Sequence, residues 1–68
     1  MLDSDCKDCI KELSDAKKYL DDDIINLLNS INDDTKLTDN QIYILGCHQD
    51  FYTDLAEKID FLIKNLQD

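Results

Sequence analysis

Sixty-eight residues carry sixteen acids, seven lysines, one histidine and no arginine, a formal charge of −9 at pH 7. That balance lacks the basic face on which counterion release at a phosphate backbone depends, so direct nucleic-acid binding and docking on acidic membranes are not expected. A chain this short makes one small domain, residues 1–68, whose buried apolar area and conformational entropy nearly cancel, so a staple, a metal or a partner subunit is expected to help hold it.

No proline and a single glycine, Gly46, leave too few turn formers for a β-rich fold, and the composition points to an all-α chain. Met1 is followed by Leu2, Asp3, Ser4 and Asp5 rather than by a basic region and an apolar core. The most apolar stretch, Ile42 to Cys47, contains Gly46 and falls far short of a membrane span. These features lead us to expect a cytoplasmic protein, of a bacterial or other host cell, with its three cysteines as reduced thiols.

From the N-terminus, Cys6, Cys9, Leu13, Ala16 and Leu20 recur at helical steps, with Ile10 beside them, and the pattern resumes at Ile24, Leu27 and Ile31. The step from Leu20 to Ile24 is a four following a four, a slight rotation of the stripe of the stutter kind. Ser4 or Asp3 can cap the start, and the whole reads as one helix over about residues 5–31. A rival reading starts a new helix at Asp21-Asp22-Asp23, because aspartate is a poor interior helix former, and gives a three-helix bundle. No glycine or proline marks such a break, so the continuous helix is preferred.

Asn32 to Leu37 reads as a polar loop. Thr38-Asp39-Asn40-Gln41 then matches a capping box, with Leu37 and Ile42 placed for a hydrophobic staple. A second helix over about residues 39–66 follows, with a seam of Ile42, Leu45, His48, Tyr52, Leu55, Ile59, Leu62 and Leu66. Two long helices joined by a short loop form an antiparallel hairpin. Its seam is too narrow to cover Ile25, Leu28, Ile44, Phe51 and Ile63. Surplus apolar surface of that kind marks an interface, and dimerisation into a four-helix bundle, or docking on another protein, is expected.

The candidate chemistry is thin. Cys6-Lys7-Asp8-Cys9 is a C-x-x-C, but redox use of that motif belongs to an α/β unit that is absent here. A zinc site would need Cys47 and His48 as further ligands. In a hairpin turning near residue 35, Cys47 lies roughly 20 Å from Cys6 and Cys9, at about 1.5 Å per residue. No metal and no cofactor is therefore expected. His48, on the second seam, reads as a half-buried packing residue rather than as a pH sensor or ligand. The acids after Asn32 fail the calcium-loop pattern, which needs glycine at its sixth position and glutamate at its twelfth. Stripes of carboxylates, Asp8, Glu12 and Asp15 on the first helix and Asp50, Asp54 and Glu57 on the second, read as solvated faces with no pocket beside them.

Catalysis is not expected. The reading that fits is a non-catalytic acidic helical protein that regulates or inhibits a larger partner with a basic surface. Such a chain can act as a phosphate mimic of phage or mobile-element type, since carboxylates at i and i+4 lie roughly 6 Å apart. The partner would meet the acids Asp21, Asp22, Asp23, Asp50, Asp54 and Glu57, or an apolar patch drawn from Ile25, Leu28, Tyr43, Ile44, Phe51 and Ile63. The alternative is a structural homodimer, a four-helix scaffold or assembly subunit.

Overall fold

A computed structural model describes residues 2–67. Among them it places four α-helices: α1 (Ser4–Asp15), α2 (Asp22–Ser30), α3 (Asp39–Phe51) and α4 (Ala56–Leu66), with a 3-10 turn at Thr53–Leu55 leading into the last. The all-α class holds, but neither long helix does. A helix over residues 5–31 would span roughly 40 Å at 1.5 Å per residue, and the longest principal extent of the molecule is 28 Å. Each expected helix is instead folded on itself.

The first break falls where the rival reading put it. α1 ends at Asp15, residues 16–20 form turns closed by the Tyr19 amide on the Ala16 carbonyl at 2.8 Å, and Asp21 stands at the N-cap position of α2. Asp22 and Asp23 follow in the first turn, where the positive end of the helix dipole favours them. The second break is at Tyr52, whose φ of −119° and ψ of 70° end α3. The helix count is therefore four rather than two or three among the described residues.

Local signals that need only a few residues are obeyed. Asp3 caps α1, its carboxylate accepting from the Cys6 amide at 2.8 Å. Thr38 caps α3 in a complete capping box: its hydroxyl accepts from the Gln41 amide at 3.2 Å, and the Gln41 side chain accepts from the Thr38 amide at 2.8 Å. Asn32 and Thr35 close the loop between α2 and α3 on its own backbone.

Packing explains the breaks. α1 packs on α2, α2 on α3, α3 on α4 and α4 back on α1, a closed ring of helices around one core. Leu13, Ile24, Leu28, Leu45, Ile59 and Leu62 are fully buried there, drawn from all four helices, with Leu37 from the loop. Leu37 also pairs with Gln67 in an isolated β-bridge, which ties the loop to the end of α4. Four short helices hide more apolar surface within one chain than two long ones can, and that gain outweighs the hydrogen bonds lost at residues 16–20 and at Tyr52.

Leu28 was expected to lie on an interface and is instead 2% exposed in this core. Ile25, Ile44 and Ile63, from the same expected patch, are half-buried against it. Part of the surplus that argued for a second chain is thus taken up by the first, while Tyr43 and Phe51 stay exposed.

Candidate interaction surface

His48 is the one buried polar side chain among the described residues, at 8% exposure. Its Nδ1 donates to the Ile44 carbonyl at 2.8 Å, one turn back along α3, and its Nε2 lies 3.1 Å from the Asp21 carboxylate. Asp21 makes no side-chain capping bond to α2, because its carboxylate is turned to His48 instead. A single side chain thus joins the start of α2 to the middle of α3. The expectation of a half-buried packing ring understated this: His48 is a buried hydrogen-bonded connector.

Tyr52 stacks on His48, ring centroids 5.9 Å apart with planes inclined by 12°. On this side of the molecule the end of α1 meets the α3–α4 junction and leaves a cleft of about 490 Å³. Ala16, Tyr19, Phe51, Tyr52, Asp54 and Leu55 line it. Phe51 is 81% exposed and Tyr19 61%. Phe51 is the last residue of α3, and its ring stands clear of the core. Lys18 sets its ammonium over the Tyr19 ring, 5.0 Å from the centroid.

No family model, curated protein or solved structure matches this chain. The surface must be read from its own geometry.

All six acids singled out from the sequence are exposed. Asp21, Asp22 and Asp23 cluster at the start of α2, while Asp50, Asp54 and Glu57 flank the Tyr52 break. That break disposes of one expectation. Asp50 lies on α3, Asp54 in the 3-10 turn and Glu57 on α4, so the three do not form a stripe on one helix face. On α1 the stripe of Asp8, Glu12 and Asp15 is continuous, but Glu12 is bound to Lys58 of α4 at 3.0 Å. Of the two expected stripes, only the one on α1 stays on a single helix.

Of the apolar candidates, Tyr43 (70% exposed) and Phe51 stand at the surface. Tyr43 lies outside the cleft, one turn before Cys47, whose thiol pushes the Tyr43 phenol above its ordinary value. Tyr19 and Tyr52 were not singled out as contact residues. Tyr52 sat on the assumed seam. Tyr19 was legible only as an aromatic off the α1 stripe, between Lys18 and Leu20.

The cysteines are unequal. Burial, then the neighbouring Asp3, push the Cys6 thiol up to about 11, and burial raises Cys9 as well against the pull of Lys58. Thiolate chemistry needs the opposite shift. Cys47 is exposed. Among the described residues no group of three or more histidine, cysteine, aspartate or glutamate side chains is placed to hold a metal ion.

Proposed function

We propose that this chain is a non-catalytic acidic binding protein that regulates or inhibits a larger protein with a basic surface by direct contact. The observation that carries this reading is the pairing of a formal charge of −9 with exposed aromatic side chains beside a carboxylate-bearing cleft. Long-range attraction raises the encounter rate with a basic partner, and exposed aromatics supply the anchors that hold it. Mimicry of a nucleic-acid groove draws less support, since Asp50, Asp54 and Glu57 do not share one helix. A homodimeric scaffold draws less as well, because Leu28 is spent on the chain's own core.

Affinity capture from extract of the source cell, repeated at about 50 mM and about 500 mM salt, tests the reading. A specific basic protein retained at the lower concentration and released at the higher is the expected result. Retention indifferent to salt, or a bound protein without a basic surface, would overturn it.

A further inference from the structure

We infer that the cleft between the end of α1 and the α3–α4 junction is a receptor for one cationic side chain, an arginine or lysine, on a basic segment of the partner protein. The proposal rests on the charge-led reading of function and assigns it a contact point.

Three aromatic side chains, Tyr19, Phe51 and Tyr52, line the cleft, and Asp54 is the one ionisable carboxylate among its lining residues. That combination selects its occupant. An anion would meet Asp54 and the field of a chain carrying −9. A purely apolar group seated on the rings would make no use of the Asp54 carboxylate beside them. A cationic side chain supplies that partner, and its charge is drawn to the faces of aromatic rings. Guanidinium suits the site better than ammonium, because it is planar, stacks on rings and bonds a carboxylate with two donors. The chain already shows the first of these contacts within itself, in the Lys18 ammonium over Tyr19.

The walls differ in how firmly they are held. Tyr52 is held by its stack on His48, which is itself tied to Asp21 and to the Ile44 carbonyl. Phe51, at 81% exposure, has almost nothing against it in the free protein. A bound guanidinium would give that ring its missing neighbour, with Tyr52 as the fixed wall.

The test titrates N-acetylarginine amide into the isotopically labelled full chain and follows the backbone amides by NMR, with N-acetylcitrulline amide as the uncharged isostere. Saturable shifts at Tyr19 and at residues 51–55 are expected, with millimolar affinity and at least fivefold weaker binding of the citrulline compound. Phe51→Ala and Asp54→Asn should each weaken arginine binding at least threefold. Both side chains are exposed, so the helical circular dichroism should be unchanged, and either variant alone suffices should the other fail to fold. Equal binding of the charged and uncharged compounds overturns the proposal. So do shifts spread over the acidic surface that survive Phe51→Ala, or a cleft closed by a second copy, seen as a dimer in sedimentation that Phe51→Ala dissociates. Salt-sensitive capture of a basic protein that is undiminished by Phe51→Ala and Asp54→Asn would remove the cleft and leave the functional reading standing.

Discussion

Gly46 is the residue most plainly out of place. It lies inside α3 with a helical φ, and a Cβ built on it meets no atom within 4 Å. Neither a left-handed backbone nor a close approach explains it, so it contributes only chain entropy that folding must remove. Gly46→Ala should raise stability by about 0.5–1 kcal/mol, read as a higher thermal midpoint by circular dichroism. A drop would mean that some unseen contact uses the missing side chain. Cys6 gives a pH signature of its own. Its thiol rises from 9.0 to about 11 on folding, chiefly through burial. Below about pH 9 it is protonated in both states and the stability it lends is fully present; that stability is lost as the pH rises through about 11. The wild-type chain should lose about 2–3 kcal/mol more than Cys6→Ser across that window, measured by urea unfolding at pH 8 and pH 11. Parallel losses in the two proteins would show that the thiol is not responsible.

Among the elements, the start of α3 and the breaks in the two long stripes were unequally legible. The Thr38 capping box needs only four residues in a row, so sequence and structure agree on it without reference to the rest of the chain. Thr38→Ala removes one of its two bonds and should cost about 1 kcal/mol; a loss below a few tenths would mean that packing of Leu37 alone sets the helix start. The breaks are another matter. No glycine or proline stands at residues 16–20 or at Tyr52, and the apolar period runs on through both. The aspartates at 21–23 hinted at a new helix start, and nothing in the sequence pointed to a break at Tyr52; intrinsic propensities are too small to decide against a continuous stripe. What decides is tertiary: with turns at residues 16–20, α1 and α2 pack on each other and bury Leu13, Leu20 and Ile24 in one core. The cleft shares this limit. Phe51 and Asp54 were each readable as surface candidates, yet their meeting with Tyr19 depends on a turn after Phe51 that only the packed molecule reveals.

At the scale of the whole molecule, the issue is whether one chain suffices for its own core. A compact domain of this length has a radius of gyration of about 11 Å, and the value here is 10.6 Å. The closed order of helix contacts gathers all four helices round one core within a single chain. Two variants separate the cases. Leu28 is in the core and Phe51 is outside it, although the sequence placed both on one apolar patch. If the core is internal, Leu28→Ala creates a cavity and costs about 2–5 kcal/mol. That is a large part of the roughly 3–10 kcal/mol available to so short a chain. Phe51→Ala should stay within about 0.5 kcal/mol of the parent. Both effects should then be independent of protein concentration, as they are wherever no association is linked to folding. A dimer built on that patch would behave otherwise: both substitutions would destabilise, and the thermal midpoints would climb with concentration. Thermal unfolding of the parent and the two variants over a hundredfold range of concentration tells these outcomes apart, since only an internal core makes Leu28 indispensable while leaving Phe51 free for a partner.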